Sequence, residues 1–269
     1  MFGLKKKRRE RIRNGPFPEA WADILENHVA YYHRLTPEDQ AELRGHIQVF
    51  LDEKTFEGCG GLEISDAIRV VIAAQACILL LHRETNYYPT LDSILVYPHQ
   101  YFSPGTRQLS EGVVTEGLEG RLGESWYRGP VVLSWDDVRR TAHDHKDGHN
   151  VVFHEFAHQL DSESGANEGA PLLPRRSMYI AWARVLGNEY ESLISELAHH
   201  RRTDLDAYGA TNPAEFFAVV TETFFEKPVQ LKQRHPRLYE QLALFFRQDP
   251  AARFVKIDAT DNRRRGNHE

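Results

Sequence analysis

The chain has 269 residues, of which 41% are hydrophobic and 27% charged, and its formal net charge at pH 7 is -6. This composition is typical of a globular protein with a substantial core, and the negative net charge argues against nucleic acid as a direct partner. The longest apolar run, Val70 to Leu81, contains Gln75 and is too short to span a membrane, so we expect no membrane segment.

Basic residues concentrate at both ends of the chain, in the run KKKRRERIR from Lys5 to Arg13 and in the run Arg263 to Arg265. Charge runs at chain ends are typically solvated, so we predict a disordered basic tail over residues 1–16 and a C-terminal tail over residues 251–269. No apolar segment typical of a secretory signal follows the basic start. The two cysteines show neither disulfide nor metal-binding spacing, so we expect a cytoplasmic protein.

Helical signals dominate the first third of the chain. The segment EAWADILENHVAYYHRL has apolar residues at helical spacing, and Thr36 followed by Pro37 is a strong start for a helix that runs to about Lys54. Ser65 is expected to cap a third helix that is apolar on nearly all sides and therefore buried. We predict an N-terminal helical subdomain over residues 17–85.

The pattern then changes to three short β-branched runs bounded by glycine, proline and serine, which are typical of strands. These runs are Ser93–Pro98, Gly112–Gly117 and Gly129–Trp135. Helical patterns return afterwards over residues 150–161, 175–199, 212–226 and 235–247. Because helices, strands and helices follow one another without βαβ alternation, we predict an α+β fold, mainly helical with a small β-sheet that is not parallel.

Two histidines and a glutamate interrupt the apolar stretch NVVFHEFAHQLD, residues 150–161. A helix capped by Asn150 places His154 and His158 one turn apart on one face, where both imidazoles can bind one zinc ion. Glu155 points about 100° away and can act as a general base on a water. This HExxH pattern therefore predicts a metal site. The alternative is a buried helix with hydrogen-bonded histidines, although polar groups in such surroundings are costly unless they are used.

A catalytic zinc site needs a third protein ligand beside an open position. The pattern HExxHxxGxxH is excluded, because its glycine and third histidine are here Asp161 and Ser164. A later helix, NPAEFFAVVTETFF, offers Glu215 in its first turn and Glu222 as a rival two turns later. Glu215 could instead belong to a capping box, since it lies three residues after Asn212.

Two further segments are candidates for contact with a substrate. Tyr208 lies on a glycine-containing loop just before the helix NPAEFFAVVTETFF. Its hydroxyl could stabilise the oxyanion of a tetrahedral intermediate, or the side chain could serve only as a packing residue. The strand GPVVLSW is a candidate edge to which an extended peptide could add, through Val132, Leu133 and Ser134.

The stretches GHNVVFHEFAHQLD and YGATNPAEFF, with LVYP, GPVVLSWDDV and FFRQDP, resemble the Mlc titration factor A family of bacterial zinc metallopeptidases. The catalytic part is also similar to the protease domain of anthrax lethal factor, which shares the pattern Tyr-x6-Glu-Phe-Phe. The resemblance implies a zincin-like catalytic domain, here residues 86–250, with one Zn2+ per chain. It implies zinc ligands at His154, His158 and Glu215. It also implies Glu155 as the general base and Tyr208 as the residue that stabilises the transition state.

The resemblance further implies gluzincin-type, aminopeptidase-like cleavage of small peptides and binding to the glucose-responsive repressor Mlc. One position departs from the pattern of related zinc peptidases. Several of them have an acid one turn after the ligand glutamate, where it supports a ligand histidine, and this chain has Val219 there. Asp161 and Glu222 are the candidates for that supporting role. His149 matches the family stretch and is expected to line the cleft. The alternative function is a regulatory binding protein that sequesters a transcription factor, with the zinc site catalytically secondary.

Overall fold

The computed structural model describes residues 2–99, 129–143 and 147–254. Helices make up most of this part of the chain, and three short strands form one sheet. The prediction of a mainly helical α+β fold with a small sheet is therefore confirmed. The strand predicted over Gly112–Gly117 lies outside the described residues.

Four helices come from the first third of the chain, and the sequence-predicted caps start two of them. The Thr36 hydroxyl accepts the backbone N–H of Asp39 at 3.2 Å, and the Ser65 hydroxyl accepts that of Ile68 at 3.4 Å. The helices are α1 (Phe2–Arg13), α2 (Glu19–His28), α3 (Pro37–Glu53) and α4 (Asp66–Ile78), with a 3-10 helix at Ala30–Arg34 after α2.

The basic N-terminal segment corrects one prediction, because residues expected to form a disordered tail over 1–16 form helix α1 instead. The Arg9 guanidinium donates to both carboxylate oxygens of Glu53, at 2.7 and 2.8 Å, and Arg8 donates to Asp52 at 2.9 Å. Ile12 packs against the hydrophobic core. The charge run therefore has acidic partners at the end of α3, which a local charge pattern does not reveal.

The first four residues of the predicted C-terminal tail also correct that prediction. Residues 251–254 are helical, Ala251 and Phe254 are buried, and Arg253 donates to Asp39 of α3 at 2.8 Å. The remainder of the predicted tail, from residue 255 onward, lies outside the described residues. Contacts with distant helices thus hold a segment whose own sequence indicated only solvation.

The sheet consists of β1 (Thr55–Gly58), β2 (Ser93–Tyr97) and β3 (Val131–Ser134), in the order β1-β2-β3. Both pairings are parallel, so the prediction that the sheet is not parallel was wrong. The reason is β1, whose sequence TFEG lacks the alternating apolar pattern that predicts a strand. With β1 included, α4 lies between two neighbouring parallel strands, as a crossover helix does.

Six helices complete the described part of the chain. They are α5 (Trp135–His143), α6 (Val151–Ser162), α7 (Met178–Ala198), α8 (Pro213–Glu226), α9 (Pro228–Arg234) and α10 (Pro236–Phe246). The sequence predicted four of them and missed α5 and α9. Aromatic side chains join α6 to its neighbours: Phe153 lies 5.2 Å from Phe225 of α8, and Phe156 lies 4.8 Å from Tyr88, between ring centroids.

Buried residues from both predicted units, 17–85 and 86–250, belong to one hydrophobic core. The boundary between those units stays a prediction. Within the described ranges, no helix combines the length and the apolar character needed to cross a membrane.

Candidate metal centre

Helix α6 carries both histidines of the HExxH pattern. The Asn150 side chain accepts the backbone N–H of Phe153 at 3.0 Å, which caps the helix as predicted. The apolar residues around the pattern are buried, so they anchor the helix and leave His154 only 2% exposed. The rings of His154 and His158 lie 4.9 Å apart between centroids, on one face of the helix.

Helix α8 brings Glu215 to these histidines. Asn212 caps the helix by accepting the backbone N–H of Glu215 at 3.0 Å, and Pro213 occupies the first helical position. The Glu215 carboxylate lies against the two histidines, with Oε2 at 3.0 Å from His154 Nε2 and 3.3 Å from His158 Nε2. The N-cap role predicted for Asn212 is confirmed. The contacts of the Glu215 carboxylate are with the two histidines, whereas a capping box would direct it to the backbone N–H of Asn212.

Three ligand-type atoms therefore converge on one point. The Nε2 atoms of His154 and His158 are 3.3 Å apart, which completes a triangle with the Glu215 oxygen. In a tetrahedral zinc site with bonds of about 2.0–2.1 Å, neighbouring ligand atoms lie about 3.4 Å apart. The three observed separations, 3.0, 3.3 and 3.3 Å, fit this requirement closely.

The electrostatics of the cluster follow from burial and from the hydrogen bonds. Burial by itself would raise the pKa of Glu215, but hydrogen bonds from both histidines outweigh it and hold that pKa well below its usual range. Burial disfavours a charge on His154, yet the carboxylates of Glu222 and Glu215 raise its pKa well above normal. Glu155 is half-buried, and desolvation raises its pKa, which brings a carboxylate closer to the range suited to a general base.

Glu222, the rival ligand, contacts the opposite side of the same imidazole. Its Oε1 lies 2.7 Å from His154 Nδ1, while its Oε2 accepts the backbone N–H of Asn150 at 2.6 Å. A carboxylate on the second nitrogen of a ligand histidine orients the ring and sets its tautomer. The geometry therefore favours Glu215 for the ligand position and Glu222 for the supporting position.

Asp161, the other candidate support, is fully buried and holds a loop. Its Oδ2 accepts the backbone N–H of Gly169 at 2.7 Å, in the connection between α6 and α7. Desolvation raises the pKa of Asp161 to about 6. Among the described residues, His158 Nδ1 has no hydrogen-bond partner, so the contacts of Asp161 do not include that nitrogen.

Tyr208 lies close to the histidines on a 3-10 helix, Ala207–Ala210. Its ring centroid is 5.8 Å from that of His154. Asp206 accepts the backbone N–H of Tyr208 at 2.7 Å and lies 3.6 Å from His149 Nε2. Asp206 was not predicted from the sequence, although an aspartate two residues before a turn residue is a common turn-forming signal.

The three candidate residues for substrate contact on β3 differ in exposure. Val132 is 46% exposed, whereas Leu133 is 2% exposed and packs in the core. The Ser134 hydroxyl accepts the backbone N–H of Asp137 at 3.4 Å, at the start of α5. Of the two apolar side chains, Val132 alone can face a ligand.

A second group of metal-ligand side chains, Asp39, Glu42 and His82, lies apart from this centre. The Asp39 carboxylate already contacts Arg253 and His82, both at 2.8 Å. A guanidinium beside the carboxylate competes with a metal cation, so we interpret this group as an ion-pair network.

Comparisons with known proteins agree with this geometry. Residues 4–247 match the model of a family described as "Glucose-regulated metallo-peptidase M90". The chain is 44% identical to a Synechocystis sp. protein called "Uncharacterized protein slr2042", over 90% of this chain and 89% of that protein. It is 32% identical to "Mlc titration factor A" of Serratia proteamaculans, over 85% of this chain and 88% of that protein. The corresponding protein of Escherichia fergusonii is 31% identical over 87% of each chain. The chain therefore belongs to the glucose-regulated metallo-peptidase M90 family.

Proposed function

We propose that this protein is a zinc-dependent peptidase of the gluzincin type, with one zinc per chain on His154, His158 and Glu215. The observation that carries the proposal is the convergence of three ligand atoms at 3.0 to 3.3 Å from one another. Family membership implies a metal ion, and two imidazoles with one carboxylate are a donor set that suits zinc.

The proposed reaction is hydrolysis of a peptide bond. When bound, zinc would supply a Lewis acid that polarises the scissile carbonyl and lowers the pKa of water. Glu155, the neighbour of His154 on α6, accepts the proton of the attacking water and then delivers it to the leaving amine. The hydroxyl of Tyr208 donates a hydrogen bond to the oxyanion that forms on the substrate. Its ring lies 5.8 Å from that of His154, which supports this role.

The proposed substrates are small peptides that are cleaved from their amino end. This finer assignment rests on the resemblance to the Mlc titration factor A family. A series of short peptides with free and acetylated amino termini tests it. An aminopeptidase turns over the free peptides and leaves the acetylated ones intact, whereas equal turnover of both contradicts the assignment.

We propose that an extended substrate adds to β3. In the described sheet β3 pairs only with β2, and Val132 exposes its side chain. Proline at position 132 removes one backbone donor of β3 at an exposed side chain, whereas proline at position 133 would also replace a buried core side chain. The expected result for Val132→Pro is a raised KM. An unchanged KM in a folded variant contradicts strand addition.

A regulatory role is the second candidate function, and the relatives named "Mlc titration factor A" favour it. The proposed partner is the repressor Mlc or a similar transcription regulator, which would place the protein in the cytoplasm. Glu155→Gln separates the two functions, because it removes the base and keeps the proposed ligands. A variant that loses turnover but still binds the regulator has both roles in one chain. Loss of both properties contradicts a separate binding role.

Zinc content is the experiment that tests the main proposal. We expect about one zinc per chain in the wild type, purified without a histidine tag, and a sharp loss in Glu215→Ala. Glu38→Ala is a matched control, because Glu38 is also a first-turn acid of a helix that starts with proline. A wild type that contains no zinc and takes up none would overturn the peptidase proposal and leave the regulatory one.

A further inference from the structure

We propose that Asn150 is a positioning residue of the metal centre, which holds Glu222 and, through Glu222, the ring of His154. This inference rests on the proposed zinc site and goes beyond the residues assigned to it above. It concerns a residue whose sequence signal was only that of a helix cap.

Asn150 is 2% exposed, and each of its polar groups has a partner. Its backbone N–H donates to Glu222 Oε2 at 2.6 Å, and its carbonyl accepts the backbone N–H of His154 at 2.9 Å. Its side-chain Oδ1 accepts the N–H of Phe153 at 3.0 Å. Its Nδ2 donates to Gln75 Oε1 at 2.9 Å and to Glu226 Oε1 at 3.1 Å. One residue thus joins α4, α6 and α8.

Helix capping alone does not account for an asparagine at this position. Serine and aspartate cap helices about as well, because capping requires only a side-chain oxygen. The contacts with Gln75 and Glu226 require in addition a group that donates two hydrogen bonds, which the asparagine amide has. Aspartate would instead place a third carboxylate beside Glu222 and Glu226 in a buried region, where an uncompensated charge is costly.

The link to the metal centre runs through the two oxygens of Glu222. The Asn150 N–H holds one oxygen at 2.6 Å, and the other lies 2.7 Å from His154 Nδ1. His154 Nε2, on the far side of the ring, is then directed at Glu215. The amide contacts of Asn150 with Gln75 and Glu226 fix the first turn of α6 against α4 and α8, so their loss moves the backbone N–H away from Glu222 and rotates a proposed ligand. Loss of such an orienting contact typically lowers metal affinity about 10- to 100-fold.

Two substitutions test the inference. Asn150→Ser keeps a capping oxygen and the backbone N–H but loses both amide contacts. Asn150→Asp keeps the size and the cap but replaces the donor by an acceptor. Thr36→Ala is the matched control, because it removes the cap of α3, which typically costs about 1 kcal/mol of stability. All variants are studied as full-length chains, with the unfolding of the metal-free protein in urea as the measure of stability.

The readouts are the zinc dissociation constant, from competition with a chelator, and the visible spectrum of the cobalt-substituted protein. We expect both Asn150 variants to bind zinc about 10-fold or more weakly, with an altered cobalt spectrum. Thr36→Ala is expected to stay within about two-fold of the wild type. A dissociation constant for Asn150→Ser that is unchanged, or that changes no more than in Thr36→Ala at equal stability, overturns the inference.

The same data separate this inference from the proposed function. If the wild type itself binds no zinc, the proposed zinc site fails and the inference fails with it. If the wild type binds one zinc and the Asn150 variants bind it equally tightly, only the positioning role is wrong. Should Asn150→Asp not fold, Asn150→Ser and Gln75→Leu, which removes one of the two amide contacts, still decide the question.

Discussion

Replacing Glu222 by glutamine is the most direct perturbation of the proposed support for His154. The two carboxylate oxygens receive two donors, the backbone N–H of Asn150 at 2.6 Å and Nδ1 of His154 at 2.7 Å. A glutamine of the same size has only one oxygen, so its NH2 group must face one of these donors. The substitution therefore preserves shape and removes one charge-assisted hydrogen bond.

The size of the effect follows from these contacts. Hydrogen bonds to a charged group contribute about 1.5–3 kcal/mol, and about 1.4 kcal/mol corresponds to a tenfold change in binding. If the contact with His154 is lost, zinc affinity should fall roughly 10- to 100-fold. If the contact with Asn150 is lost instead, the unfolding free energy of the metal-free protein should fall by about 1–3 kcal/mol.

The assay combines chelator competition for the zinc dissociation constant with urea unfolding of the metal-free protein. Glu163→Gln is a suitable control, because this half-buried acid lies at the opposite end of α6. We expect the control to keep its zinc affinity and Glu222→Gln to lose affinity, stability or both. A Glu222→Gln protein that matches the wild type in both measurements would refute the reasoning.

Three further predictions concern the fold rather than the proposed ligands. Gly169→Ala should lose stability and zinc content together, since its Cβ would lie 2.3 Å from the Pro213 carbonyl oxygen at the start of α8. Gly165→Ala, also at positive φ but with open space, should lose only about 1–2 kcal/mol, and equal urea midpoints for the two variants would contradict this view. Burial lowers the pKa of Lys54 to about 8. The ordinary pKa of lysine is 10.5, so between about pH 8 and 10.5 the unfolded chain binds more protons than the folded one. Below pH 8 both states carry the charge, and its burial destabilises the folded protein by about 3 kcal/mol. This cost disappears as the lysine loses its proton, so the free energy of unfolding in urea should rise between about pH 8 and 10.5. Lys54→Met should abolish that rise, and an unchanged pH profile would argue against it. Arg9→Ala should release α1 from its two-point ion pair with α3, seen as faster hydrogen exchange in residues 2–13 with little change in the core, and unchanged exchange there would contradict the anchoring role.

The local signals in the sequence predicted those features whose causes lie within one turn of helix. Caps at Thr36, Ser65, Asn150 and Asn212 start helices where the sequence indicated, because a capping oxygen bonds an N–H only three residues away. The pairing of His154 with His158 on one face follows in the same way from helical geometry.

The sequence could not predict the features that depend on distant partners. The strand β1 has no alternating pattern of its own, and it becomes a strand because β2 pairs with it. The helix α1 has a charge run that suggests solvation, and it is ordered because Glu53, 44 positions after Arg9, accepts two hydrogen bonds from it.

The choice between Glu215 and Glu222 shows the same limit at the candidate site. Both acids lie on α8, and spacing along the chain left either of them able to reach the histidines. The packing of α6 against α8 decides the matter, because it directs Glu215 to Nε2 and Glu222 to Nδ1 of His154, 61 and 68 positions earlier. The sequence alone thus determined which residue types and which helices could build a metal centre. Only the tertiary structure decided which carboxylate faces which nitrogen, since that depends on how two helices distant in the chain pack together.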